Sequence, residues 1–183
     1  MGYFYGVFIK ELNITPLIKA LPVIPIEPEN MHMTIVYIGY KRPSQETDNK
    51  IGGAGISQVP CFMIKLSQLT LLPSATKPRV LAVGIVNNEQ LNRLRSTILS
   101  ALRNSGVVIS DKYLGGDFKP HITIAYIKSK RIDSQDLIEM VREMGIEEEL
   151  TGRSLLIDSV SLILAKGGSN YSEVSSHELQ CVF

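Results

Sequence analysis

One ten-residue pattern occurs twice in this chain, and it constrains the fold more than any other feature. The first copy reads His32-Met33-Thr34-Ile35-Val36-Tyr37-Ile38-Gly39-Tyr40-Lys41, and the second His121-Ile122-Thr123-Ile124-Ala125-Tyr126-Ile127-Lys128-Ser129-Lys130. The copies agree at His, Thr, Ile, Tyr, the second Ile and the final Lys. Residues of this kind fit a pleated, half-buried strand. Residues i and i+2 of a strand share a face, so each His lies beside its own Thr. Two such strands side by side set two imidazoles and two hydroxyls around one cleft.

The chain around the repeat alternates strands and helices in mixed order. Tyr3 to Ile9 reads as a first strand, and Thr15-Pro16 starts a short helix over Leu17 to Leu21. Pro22, Pro25 and Pro28 give an extended approach to the first His strand. The polar run Arg42 to Lys50, followed by Gly52, Gly53 and Gly55, reads as a loop or a poor helix. Cys61 to Leu72 is a strand with a break near Ser67, and Arg79 to Val86 is another. Leu91, Leu94, Ile98, Leu99 and Leu102 form the apolar stripe of the clearest helix, with Asn87 or Asn88 as cap and Gly106 past its end. Val107 to Ile109 reads as a short strand and Gly115-Gly116 as a turn. Asp133 or Ser134 caps a second helix, with Leu137, Ile138, Val141 and Met144 inward. Leu155 to Ala165 and Ser175 to Val182 are the closing strands, joined by a loop over Lys166 to Asn170, and His177 is expected on the surface. The expected architecture is α+β: two pseudo-symmetric lobes of antiparallel sheet, helices outside, and a central cleft carrying the two His-x-Thr strands. Residues 1–183 are expected to form a single bilobal unit without a linker.

Composition narrows the partners. With a formal net charge of +1, nothing global announces a nucleic-acid or membrane binder, so a polyanion must be met by a local patch. No stretch approaches the roughly 18 apolar residues of a membrane span. The apolar start lacks a basic leader, and a cytoplasmic, monomeric protein is the expectation. Cys61 and Cys181, the two cysteines, match no metal spacing and are expected to be free thiols.

Two of the three histidines carry Thr at +2 inside matching strands, which coincidence explains poorly. Zinc sites need three or four ligands, and no His-x-His, Cys-x-x-Cys or adjacent carboxylate supplies them, so neither metal nor other cofactor is expected. Nucleophilic catalysis lacks a base and an orienting group for either Thr. A general acid paired with a general base fits best, because imidazole titrates near pH ~6.5 and one ring can be neutral while the other is protonated. The Thr hydroxyls then donate to oxygens where negative charge builds. A strained cyclic phosphodiester suits this set. Strand parity turns Tyr37 and Tyr126, at +5, away from the cleft and into packing.

With these motifs the sequence resembles the two-histidine phosphoesterase superfamily, and within it the RNA 2′,3′-cyclic phosphodiesterases, also called 2′-5′ RNA ligases. The likeness extends over Pro28 to Thr34, Ile38-Gly39, Lys77-Pro78-Arg79-Val80-Leu81 and Phe118 to Ala125. The resemblance implies metal-free hydrolysis of RNA or nucleotide 2′,3′-cyclic phosphates to 2′-phosphates, with weak reverse 2′-5′ ligation. Alternatives are the same chemistry on 2′-5′ oligoadenylate or an ADP-ribose cyclic phosphate, or a non-catalytic RNA- or nucleotide-binding module. It implies His32 as acid and His121 as base, although symmetric halves leave those roles interchangeable, with Thr34 and Thr123 holding phosphate. Many family members carry Arg where this chain has Tyr126, and a helix where it has Arg42 to Gly55. Lys119 and, second, Arg79 are the candidates for the missing cation.

Overall fold

Strands β1 (Gly2–Phe8), β3 (His32–Gly39) and β6 (His121–Ile127) run through the middle of one sheet. The computed structural model describes residues 1–109, 114, 118–127 and 132–182. Among them nine strands pair, all antiparallel. The others are β2 (Val23–Pro25), β4 (Phe62–Leu72), β5 (Val80–Ile85), β7 (Ser154–Ile157), β8 (Ser159–Gly167) and β9 (Asn170–Glu178). The order across the sheet is β7-β4-β5-β6-β3-β1-β8-β9, with β2 added beside β6. The lobes therefore meet where the two repeated strands touch, and that junction is a single pairing, Met33 with Ile122. The Gly115-Gly116 turn, Lys128 and Lys130 lie outside the described residues.

Helices α1 (Thr15–Ile18), α2 (Gln45–Lys50), α3 (Glu89–Asn104), α4 (Ser134–Glu143) and α5 (Ile146–Leu150) accompany the sheet. The α3 stripe is buried as its spacing requires, and Asn88 caps it by accepting from the Leu91 N–H at 3.0 Å. Each fully buried side chain of that stripe contributes on the order of 1.5–3 kcal/mol. In α4, Leu137 and Val141 are buried, but Met144 lies exposed at the helix end. The helix α5 that follows it has no counterpart in the sequence reading.

Several elements differ from expectation. Of the two readings of Arg42 to Gly55, the helix holds from Gln45 on: α2 continues through a widened turn at Ile51–Gly55 and a tight turn at Ile56–Gln58. Ser44 caps it by accepting from the Thr47 N–H, and Lys50 pairs with Glu46 at 2.8 Å. Its glycines are contact surfaces. A Cβ on Gly52 would strike the His177 ring, and one on Gly55 would press on Thr97 of α3 at 3.3 Å. Leu155 to Ala165 divides at Asp158, so that β7 pairs with β4 and β8 with β1. Val107 to Ile109 is irregular rather than a strand. The loop expected over Lys166 to Asn170 is present as a tight hairpin turn, with Gly167, Gly168 and Ser169 at positive φ. The break foreseen near Ser67 is present as a register slip between Leu66 and Leu69.

The cysteines correct another expectation, since Cys61 and Cys181 form a disulfide. The tail returns beside the approach to β4 through a Pro60–Gln180 bridge, which brings the two Cα atoms to 5.0 Å, within disulfide reach. A separation of 120 residues hid this proximity in the sequence.

His177 is not a surface residue either. Its Nε2 donates to the buried Asp48 carboxylate at 3.0 Å, and the Tyr5 hydroxyl donates to the same oxygen at 2.6 Å. Burial alone would raise the Asp48 pKa. Hydrogen bonds from His177, Ser175 and Tyr5 outweigh it and hold the carboxyl below its ordinary range. This cluster ties α2 to β1 and β9. Asp48→Ala should destabilise the fold by about 3 kcal/mol, the scale for breaking a buried charged network. Because the folded pKa is the lower one, the network's contribution is complete above the ordinary carboxylate value and fades as pH falls through the depressed one. Urea unfolding of wild type and variant between neutral and acidic pH measures both effects.

Candidate active site

An antiparallel pairing has a local two-fold axis, and here it passes through the Met33–Ile122 pair. The register then sets His32 alongside Thr123 and Thr34 alongside His121. The sheet's helix-covered face takes Met33, Ile35 and Val36 from β3 and Ile122, Ile124 and Ala125 from β6, all buried. The two histidines and two threonines face the other side, half-buried, around one cleft. Each Thr has a neighbour with little or no side chain, Gly6 beside Thr34 and Ala82 beside Thr123. A Cβ on Gly6 would come within 2.6 Å of the Met33 carbonyl oxygen.

The imidazoles are held identically. His32 Nδ1 lies 2.8 Å from the Asn30 carbonyl oxygen, and His121 Nδ1 lies 2.9 Å from that of Lys119. A carbonyl only accepts, so both Nδ1 atoms carry the proton and donate. In each neutral ring Nε2 is left with its lone pair, free for proton transfer. The carbonyl in each case belongs to the segment that leads into the strand, the tight turn Pro28–Asn30 in one half and the irregular Phe118-Lys119-Pro120 in the other.

The parity expectation for Tyr37 and Tyr126 fails for a shared reason. Both repeated strands carry an extra residue just after the Thr: Ile35 in β3, between the Thr34–Gly6 and Val36–Tyr5 pairs, and Ile124 in β6, between the Thr123–Ala82 and Ala125–Leu81 pairs. Such a bulge shifts the side-chain phase by one. Tyr126 and Tyr37 are thereby returned to the cleft face. The Tyr126 hydroxyl meets that of Tyr171 at 3.4 Å, and Tyr37 packs its hydroxyl end against Gly2.

Tyr171, on β9, is a cleft residue that sequence reading missed. Its ring centre lies 4.3 Å from that of His32, with Phe4 at 5.0 Å and Phe8 at 6.5 Å on other sides. In a flat sheet, with strands about 4.8 Å apart, β9 would be out of reach of β3. Coiling of the sheet folds Tyr171 back over the cleft. Burial among these rings lowers the His32 pKa below the ordinary imidazole value. The Asn30 carbonyl opposes this and the His121 charge adds to it. Burial, with the Tyr126 hydroxyl, pushes the Tyr171 phenol up.

The two candidate cations fall in different places. Lys119 and His121 line one groove, whereas exposed Arg79 lines a separate cavity together with Tyr126. The structure therefore brings Lys119, and not Arg79, next to a histidine. Arg95 of α3 stacks on Phe118 at 4.6 Å and braces the segment that leads into the second motif. Among the described residues no three His, Cys, Asp or Glu side chains gather to hold a metal ion. Nor is any described helix long and apolar enough to cross a membrane.

Two-fold-related strands thus each present a carbonyl-anchored His and a Thr on the same face of the sheet. The chain belongs to the 2′-5′ RNA ligase superfamily, whose family model matches residues 24–168. Among curated relatives, the RNA 2′,3′-cyclic phosphodiesterase of Aeropyrum pernix is 30% identical over 157 residues, 83% of this chain and 84% of that one. The protein of the same name from Archaeoglobus fulgidus is 26% identical over 153 residues, 81% of each chain. In fold, the chain is similar to TT0787 of Thermus thermophilus, with a TM-score of 0.71, 18% identity and 99% of each chain covered. It is also similar to E. coli LigT complexed with 3′-AMP, with a TM-score of 0.63, 19% identity and 97% of each chain covered.

Proposed function

We propose that this protein hydrolyses 2′,3′-cyclic phosphate ends of RNA or nucleotides to 2′-phosphates, with His32 and His121 as an acid–base pair. The observation that carries the reading is the matched pair of Nδ1–carbonyl bonds, which leaves both Nε2 atoms free at one cleft. One Nε2 takes a proton from water as its oxygen bonds to phosphorus. The other gives its proton to O3′ as the P–O3′ bond breaks. Thr34 and Thr123 donate to the non-bridging oxygens, where charge grows. Ring strain and a protonated leaving oxygen make departure possible without a Lewis acid. The relatives named RNA 2′,3′-cyclic phosphodiesterase support the choice of substrate.

A substrate panel with EDTA present tests this reading. It comprises the 2′,3′-cyclic nucleotides, a cyclic-phosphate-ended oligoribonucleotide and 2′-5′ oligoadenylate, with the product phosphate position determined. Turnover of the cyclic phosphates to 2′-phosphates is expected. Turnover of the oligoadenylate alone would move the substrate assignment, and binding without turnover would make the protein a binder.

Lys119 adds a smaller expectation. Among the described residues that line the groove with His121 it is the cation. Lys119→Ala should raise KM about tenfold with little change in kcat, since a steady attraction acts on ground and transition states alike. The wild-type KM should climb with salt and the variant's much less.

A further inference from the structure

Strand β1 has β3 on one side and β8 on the other. Gly6 pairs with Thr34 of β3 and with Ser161 of β8, so Ser161 stands two strand spacings, about 9.6 Å, from Thr34 on the same face of the sheet. Ser161 is buried, and its hydroxyl donates to Glu173 Oε1 at 2.6 Å. Glu173 is two residues from Tyr171 along β9, so it shares the face whose ring packs on His32. Ser161 and Glu173 line a cavity of about 350 Å³, a size within the usual range for small-molecule sites. Phe8, which pairs with His32 and lies against its ring, lines the same cavity. The other charged residues lining it are Lys10, Glu11 and Asp158. Three carboxylates against one ammonium disfavour a phosphate there. A ring, a buried hydroxyl and a carboxylate suit a flat, neutral group that donates hydrogen bonds.

We propose that this cavity is a base subsite and that Glu173 reads the Watson–Crick edge of guanine. The inference rests on the cyclic-phosphodiesterase reading and adds a substrate preference to it. A carboxylate only accepts, and its two oxygens can take two parallel N–H bonds. Guanine is the one common base with two adjacent donors on that edge, N1–H and the N2 amino group. Adenine and cytosine set one amino donor beside a ring nitrogen that repels a carboxylate, and uracil sets one N–H between two carbonyls. The Ser161 hydroxyl fixes Oε1 from the β8 side, and Oε2 has no partner among the described residues. Phe8 supplies a ring for the base to stack on. Two strand spacings then separate the phosphate held at Thr34 from the hydroxyl that aims the carboxylate.

Calorimetric binding of nucleoside 2′-monophosphates, with EDTA present, tests the subsite without requiring turnover. Wild-type protein should bind the guanosine ligand at least about tenfold tighter than the adenosine or uridine ligand. The inosine ligand, which lacks only the N2 amino group, should fall between them. Glu173→Gln should weaken the guanosine ligand about tenfold and leave the uridine ligand within about twofold, because a carboxamide turns one acceptor into a donor. Relative kcat/KM on the four 2′,3′-cyclic phosphates should follow the same order. Equal wild-type affinity for the guanosine and uridine ligands overturns the subsite, whatever the enzyme hydrolyses, and does so without any variant that must fold. A guanine preference that survives Glu173→Gln overturns the role of Glu173. Guanine-selective binding that Glu173→Gln abolishes, in a protein that hydrolyses no cyclic phosphate, supports the subsite and overturns the hydrolase reading alone.

Discussion

His32→Ala and His121→Ala should each lower kcat by roughly 10²-fold or more, with the fold retained. Both Nε2 atoms transfer protons in the same transition state, and each ring is pre-set by a carbonyl at 2.8 or 2.9 Å, so neither can stand in for the other. The double variant should therefore be far less damaged than the product of the single effects, as for groups that act as one unit. Steady-state kinetics on a cyclic nucleotide, with thermal melts of all three variants, checks this. A single variant with near-wild-type turnover would remove that imidazole from the chemistry.

Thr34→Val and Thr123→Val should each cost about 10²-fold in kcat, with a smaller change in KM. Valine keeps the β-branched shape that suits the strand and removes only the hydroxyl. Loss of one donor to a developing oxyanion is worth about 2.7–4 kcal/mol in preorganised sites. Gly6 and Ala82, which pair with the two threonines, carry no polar side chain, so neither supplies a substitute donor. Thr→Ser at either position should restore most of the activity. Equal losses in the Val and Ser variants would mean that these residues act through packing alone.

The repeat made the central strands, their four cleft-facing residues and the two-lobed plan legible, because strand period and residue type are local signals. The bulges after Thr34 and Thr123 were not legible: an Ile in a strand looks the same whether or not it is paired. That one unseen residue in each half reversed the expected direction of Tyr37 and Tyr126. Tyr171, Phe4 and Phe8 reach His32 only through the coil of the whole sheet, which no window of sequence encodes. Gly52 looked like a loop residue because the side chain it makes room for, His177, is distant in sequence. The Cys61–Cys181 disulfide was hidden in the same way.

The most direct test of a paired-imidazole mechanism is the pH dependence of kcat/KM on a 2′,3′-cyclic phosphate, measured with EDTA present. A bell is expected, because one ring must be neutral and the other protonated in the free enzyme. Among the described residues the titratable groups against His32 are His121 and Tyr171; the Tyr171 phenol, pushed up by burial, stays protonated throughout. Burial lowers the His32 pKa, so the limb of the bell that His32 sets should lie below ~6.5. Activity should fall on both sides of the maximum, as a paired acid and base require. A profile that rises to a plateau with no alkaline fall, or activity that EDTA abolishes and a divalent ion restores, would contradict the account.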